Sequence, residues 1–368
     1  MRCRWNKKQT YLFIVLLTGF LCFPLSAGGK KIIDTIVLID AAGETVRLPQ
    51  PARRIVVVGR APYIPLHMLY MFPEACTVLA GYERKVKSDE PFLSIIDSAY
   101  HKKTVLESNP GPEQIAALNP DLVITKETVS GTLARSMKVL GIPVLHLGVE
   151  SPEQFLKDIE LIGRVLNNMK RTAEITGYFT SKLNFIGQSV QDIPQSERPR
   201  VLTLEYSDRG GSIAVKVPAR SWIQTIQAQI AGGAPVWLDH AQVQDGWQVV
   251  GFEQIAAWDP DMIFMVVWYQ LDGAEVIRSL KNDAKWKKLK AVAGNRLYRF
   301  PEDIFGWDTP DPRWILGMLW LAGKLHPDRF KAMDMKTEVY QFFGTLYSLE
   351  KKTVDAHIMP KVVLDEPH

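Results

Sequence analysis

Along the chain, short continuous apolar runs alternate with stretches in which apolar residues recur every three or four positions. Ile36–Asp40 and Thr45–Leu48 flank Ala41-Ala42-Gly43-Glu44, which predicts a small hairpin. Arg54-Ile55-Val56-Val57-Val58-Gly59 is apolar without alternation and ends at glycine, as in a strand buried on both faces of a parallel sheet. A helix is expected around Pro65–Met71, a strand over Thr77–Gly81 and another over Asp121–Thr125. Leu133–Leu140 reads as a helix, and Gly141-Ile142-Pro143 leads into a strand at Val144–Leu147. Strand and helix alternate, the mark of a parallel α/β unit.

The pattern then turns helical. Ser151 is an N-cap with Pro152 behind it, and Phe155, Ile159, Ile162 and Leu166 share one face. A second helix is predicted from about Lys170 to Asp192, with a stripe of Tyr178, Phe179, Leu183, Ile186 and Val190, stopped by Pro194. Alternation restarts with a strand at Arg200–Glu205, a helix at Trp222–Ala231 closed by Gly232-Gly233, and a strand at Met262–Trp268. Lys285–Val292 reads as helical and Arg296–Phe300 as a last strand. Asp311 is expected to cap a final helix with Pro312 at its first position. The boundaries expected are a leader at 1–27, an α/β lobe at 28–150, a helical tract at 151–194 and a second α/β lobe at 195–368.

One phrase occurs in both lobes. GPEQIAALNPDLVI at 111–124 and GFEQIAAWDPDMIF at 251–264 match at eight of fourteen positions, 140 residues apart. Each reads as a short helix ended at proline and followed by a buried strand. An offset this long fits a duplicated domain, not a solenoid repeat. Glu113 and Glu253 head the two helices. The helix dipole alone accounts for a carboxylate in a first turn; an exposed carboxylate on each lobe equally suits docking.

Arg2, Arg4, Lys7 and Lys8 precede the apolar tract Tyr11–Phe23, which is short for a membrane span, and Leu25-Ser26-Ala27 follows. This predicts an export signal cleaved near Ala27. Bulky Phe20-Leu21 before Cys22 make a lipoprotein anchor the lesser alternative. Cleavage removes four basic residues and leaves 40 Lys+Arg against 40 Asp+Glu, so overall charge gives no pull toward nucleic acid. Cys76 alone would remain, without a disulfide partner or metal-ligand spacing. His67, His101 and His146 form no metal set, and no direct metal coordination is expected.

With these features the sequence resembles the periplasmic substrate-binding proteins of ABC importers for iron–siderophores, haem and cobalamin. The resemblance rests on the export signal, Arg54–Val58, the two glutamate-helix-Pro-Asp-strand phrases and the helix before Pro194. It implies two Rossmann-like lobes with parallel sheets, joined by a single long rigid helix, with a metal chelate held in the cleft between them. It also implies that Glu113 and Glu253 meet arginines of a two-fold permease dimer. A monomeric periplasmic binding protein with no cofactor of its own is expected.

Ligands of open α/β sheets meet loops at the carboxyl ends of strands. That rule selects Arg60, Tyr63, Lys126, Arg209, Trp268, Tyr269, Trp307 and Asp308. Arg60, Lys126 and Arg209 would make the cleft locally positive, which suits an anionic chelate or a bare oxyanion such as molybdate. Trp268 and Trp307 could stack on a planar ligand, with Trp222 a weaker candidate; Trp237, Trp286 and Trp320 read as core. A two-lobed exported enzyme is the remaining alternative, but the chain lacks a P-loop, a GxGxxG after the first strand, GxSxG and HExxH.

Overall fold

The computed structural model describes residues 35–84, 89–126, 131–209, 212–240, 246–268 and 271–364; for 89–91, 131–132, 209 and 212 the backbone alone is described. The expected leader (with Cys22), Tyr269 and the side chain of Arg209 lie outside what is described.

The hairpin forms as expected, with β1 (Ile36–Ile39) antiparallel to β2 (Thr45–Leu48). Asp40 closes its turn, accepting from the amides of Ala42 (3.0 Å) and Glu44 (2.8 Å) through Oδ1. The first lobe continues through β3 (Ile55–Val57), α1 (Tyr63–Leu69), α2 (Ala75–Val78), β4 (Leu79–Glu83), α3 (Asp89–Ile96) and β5 (Thr104–Leu106). It ends with α4 (Pro112–Ala116), β6 (Leu122–Lys126), α5 (Gly131–Val139) and β7 (Val144–Leu147). Its sheet is parallel throughout, in the order β5-β4-β3-β6-β7. The unbroken apolar run of β3 now has its reason. Ile55 and Val57 face the main core, while Val56 packs with Val123, Ile115 and Met137 beneath α4 and α5.

Two helices follow. In α6 (Pro152–Leu166) Ser151 Oγ accepts from the Gln154 amide (3.2 Å), and Phe155, Ile159, Ile162 and Leu166 are buried. Asn167 ends it in the left-handed conformation (φ 55°) and Asn168 caps α7 (Met169–Val190). At 22 residues α7 is about 33 Å long. Arg171 near its start donates to Met71 O (2.8 Å), Thr345 O (2.8 Å) and Leu346 O (2.7 Å). One buried guanidinium therefore ties the connecting helix to the first lobe and to the carboxyl-terminal helices.

The second lobe comprises β8 (Arg200–Arg209), β9 (Ser212–Val217), α8 (Ile223–Ile230), β10 (Ala234–Pro235), β11 (Gln248–Val250), α9 (Phe252–Trp258) and β12 (Met262–Val267). It continues with α10 (Gly273–Asn282), α11 (Lys290–Ala293), β13 (Leu297–Arg299), α12 (Trp314–Leu325), α13 (Met335–Tyr347) and α14 (Lys351–His357). β8, β12 and β13 are parallel neighbours, and β9 and β11 extend the sheet antiparallel beyond β8.

Several elements differ from the sequence pattern. The strand expected from Thr77 starts at Leu79, because Ala75–Val78 makes a helical turn first. β8 runs four residues past Glu205, where β9 pairs with it in place of a buried face. The helix expected over Lys285–Val292 is a 3-10 turn at Trp286–Lys288 followed by α11, and α10 precedes it. The helix expected from Pro312 begins at Trp314 and is not the last. Asp311 accepts from the Arg313 amide (3.1 Å), but its carboxylate lies in a buried ion network and not at a solvated cap.

Candidate functional site

The repeated phrase builds one device in each lobe. Gly111 and Gly251 are the N-caps of α4 and α9, with nearly the same backbone (φ −69°, ψ 159° and φ −80°, ψ 159°). Glu113 and Glu253 are exposed in the first turns, while Ile115 and Ile255 are buried beneath them. Asn119 (φ 47°) and Asp259 (φ 43°) turn each chain out of its helix. The aspartate after the proline then fastens one strand to its neighbour. Asp121 accepts from the amides of Arg53 (2.7 Å) and Arg54 (3.0 Å), and its own amide donates to Arg54 O (2.9 Å). Asp261 accepts from the Arg200 amide (2.9 Å) and donates to Arg200 O (2.7 Å). The arginine side chains complete the match: Arg54 reaches Leu118 O, and Arg200 reaches Trp258 O at 2.6 Å. Everything in the phrase except the glutamate carboxylate serves to position the joint.

The carboxyl ends of the two sheets face one another. Tyr63, after β3, stacks on Phe305, after β13, with ring centroids 5.3 Å apart and planes 15° apart. The loop carrying Arg60 and Tyr63 is held by Glu83, whose carboxylate accepts from the amides of Gly59 (2.6 Å) and Asn109 (2.8 Å). Arg60 is exposed, next to Ala61 in a left-handed conformation (φ 49°). Trp268 leaves β12 with 47% of its surface exposed. Arg60 and Trp268 thus remain exposed at the edges where the strands end, while Tyr63 is half-buried against Phe305.

Three expected residues sit differently. Lys126 is buried and its ammonium is taken by Glu150, after β7, so it is not a free cation. Trp307 is fully buried and donates through Nε1 to Asp303 (3.0 Å), because the loop after β13 folds inward; it has no open face for stacking. Asp308 is buried too. Its Oδ2 has no hydrogen-bond partner among the described residues, and burial pushes its pKa up to about 6. Glu205 and Glu302, which also raise it, are engaged with Lys216 (2.9 Å) and Arg299 (2.5 Å). Trp222 is half-buried, edge-on to Trp247.

Sequence reasoning missed a buried network between the lobes. His67, on α1, bonds through Nδ1 to Asp311 Oδ2; Arg313 Nη1 donates to Asp311 Oδ1 (2.8 Å) and Nε to Asp303 (2.8 and 3.0 Å). All four are buried, and the guanidinium lies 4.5 Å from the ring centroid of Phe92 and 5.4 Å from that of Phe343. Burial alone would raise the Asp311 pKa, but Arg313 and His67 more than offset it and bring it to about 2. Burial pushes the His67 imidazole below its usual value, against the pull of Asp311. The sequence signal was the run Asp311-Pro312-Arg313 beside Trp314, whose opposite charges lie in an otherwise apolar helix start. Among the described residues no group of three or more His, Cys, Asp or Glu could hold a metal ion, and no helix is long and apolar enough to cross a membrane.

Against this geometry, the family model described as "Periplasmic binding protein" matches residues 79–304. The chain belongs to the periplasmic binding protein family. It is an ABC-transporter substrate-binding protein and not an enzyme, of the class that serves iron–siderophore and metal importers. The molybdate-binding protein MolA of Haemophilus influenzae is 22% identical over 265 residues, covering 66% of this chain and 72% of that one. The Fe(3+)-citrate-binding protein YfmC of Bacillus subtilis is 22% identical over 318 residues, covering 83% and 93%. In structure, an ABC transporter solute-binding protein from Sulfurospirillum deleyianum superposes with a TM-score of 0.70 at 24% identity, over 87% of this chain and 98% of that one. The binding protein therefore shares the two-lobed α/β fold that its repeat and connecting helix announce.

Proposed function

We propose that this binding protein captures a metal chelate of the iron–siderophore, haem or cobalamin type between its lobes and hands it to a permease dimer outside the cytoplasm. The observation that carries the chelate reading is the state of the cations at the strand ends. Lys126 is neutralised by Glu150, Lys216 by Glu205 and Arg299 by Glu302. A bare oxyanion is held by converging unpaired donors, and of the described cations named for the cleft only Arg60 remains free. What the edges offer instead is aromatic surface, Tyr63 against Phe305 and the exposed Trp268, suited to the apolar flank of a large chelate. The likeness to the Fe(3+)-citrate-binding protein supports this reading. Arg60 and the likeness to MolA favour molybdate as the second reading. Arg209 and Tyr269 stay candidates for contact on sequence grounds.

Calorimetric titration with a panel of ferric siderophores, haem, cobalamin and molybdate separates the two. Binding of a chelate with no heat from molybdate is expected; saturable binding of molybdate alone would overturn the chelate reading. Delivery is assigned to Glu113 and Glu253, one exposed carboxylate per lobe on equivalent backbones, matching a two-fold partner. The Glu113→Ala/Glu253→Ala double variant is expected to keep ligand affinity and lose uptake at least tenfold. Uptake at the wild-type rate would remove the docking role.

A further inference from the structure

A groove of about 620 Å³ lies on the outer edge of the first lobe, between the hairpin and α5. It runs along the edge strand β7, from Gly141, Ile142 and Pro143 ahead of it to Val144 and His146 within it. Three cations surround it: Arg47 on β2, and Arg135 and Lys138 on α5. All three are exposed, and none has a hydrogen-bonding or ionic partner among the described residues. Glu44 is the one exposed acid in the lining; His146 is occupied by Asp40 at 2.6 Å.

Large aliphatic side chains flank these cations. Val37 is register partner of Arg47 and Ile39 of Thr45, so both share the outward face of the hairpin with Arg47. They are 44% and 61% exposed. Across the groove, Val139 stands one turn beyond Arg135 on the same side of α5 and Leu140 follows the helix end; they are 83% and 50% exposed. Isolated exposed aliphatics need no explanation. Two pairs bracketing three unpaired cations form an amphipathic face of the kind that sits at a headgroup boundary, charges on the phosphates and aliphatics just below. A free anion would need the cations but leaves the four aliphatics without a use.

We propose that this face docks on an anionic lipid bilayer, with lipid phosphates held by Arg47, Arg135 and Lys138 and with Val37, Ile39, Val139 and Leu140 seated at the headgroup–acyl boundary. Its place in the chain agrees. β1 begins thirteen residues after Phe23, the end of the apolar tract read as an export leader. While that leader is in a bilayer, the hairpin is within roughly 45 Å of it.

The test is sedimentation of the mature chain with vesicles of equal phosphatidylglycerol and phosphatidylcholine, and with phosphatidylcholine alone. Binding to the first and not the second is expected. Arg47→Gln/Arg135→Gln/Lys138→Gln should weaken it about 100-fold, from roughly fivefold per cation, with the melting temperature unchanged. Val139→Ser/Leu140→Ser should weaken binding without altering its salt dependence. The proposal fails if anionic vesicles are not bound or the triple variant binds them as well as the wild type. Displacement by millimolar inorganic phosphate at constant ionic strength would overturn it in favour of a free-anion site. Binding to transporter-containing vesicles only would overturn it in favour of an acidic protein partner.

Discussion

Asp308 is a carboxyl group sealed in the loop after β13, with one oxygen that has no hydrogen-bond partner among the described residues. The loop after β13 turns Trp307 and Asp308 inward, and Gly306 permits it: a Cβ there would lie 2.5 Å from Asp308 Oδ1. Burial raises the Asp308 pKa from 3.8 to about 6. Between those values the folded state binds the extra proton, so stability falls as pH rises through this window and stays lower above it. Asp308→Asn should therefore be more stable than the wild type at pH 7.5, by up to about 3 kcal/mol, with the advantage vanishing toward pH 4. Denaturant unfolding at the two pH values measures it, and a pH-independent difference would contradict the assignment. Burial of Asp308 and pairing of Lys126 both depend on how loops fold, which no local pattern encodes: Glu150, the partner of Lys126, follows a different strand, 24 residues away.

At the scale of elements, most of the framework was legible. The hairpin, β3, β6, β7, α6, α7 and β12 follow from apolar runs and caps. The elements that escaped did so for separate reasons. α10 is amphipathic but opens on Gly273, where a Cβ would sit 2.2 Å from Arg299 Nε. β9 is held as a strand by the far end of β8 on one side and by β11 on the other. The repeat was legible as a helix-to-strand joint, while the exchange of bonds between Asp121 and Arg54, and between Asp261 and Arg200, needed tertiary placement. The close approach of α6 to α7 is a testable joint. A Cβ on Gly163 would lie 1.7 Å from Thr172 Oγ1. Gly163→Ala should destabilise the protein by about 1–3 kcal/mol, and Gly163→Ala combined with Thr172→Ala should recover part of that loss. A single variant as stable as the wild type would show that the two helices separate freely.

For the whole molecule, two features set the lobes in place. Arg171 anchors α7 to both ends of the structure, and the His67–Asp311–Arg313–Asp303 network closes the base between the lobes. Removing one member of such a buried network leaves an uncompensated charge, which disfavours sliding or opening at that point. Outside this network lies the rim, where Arg60 and Trp268 are exposed. The duplicated lobes were readable from one phrase; the base that joins them was not, because its charges are scattered from position 67 to position 313. The central claim is that a metal chelate is held at that rim. Titration of a ferric siderophore against wild type and Trp268→Ala, followed by tryptophan fluorescence, tests it most directly. The account predicts saturable quenching in the wild type and affinity reduced about fivefold in the variant, from loss of one stacking face worth ~1 kcal/mol. No quenching by any ferric siderophore, haem or cobalamin, together with saturable binding of molybdate, would contradict it.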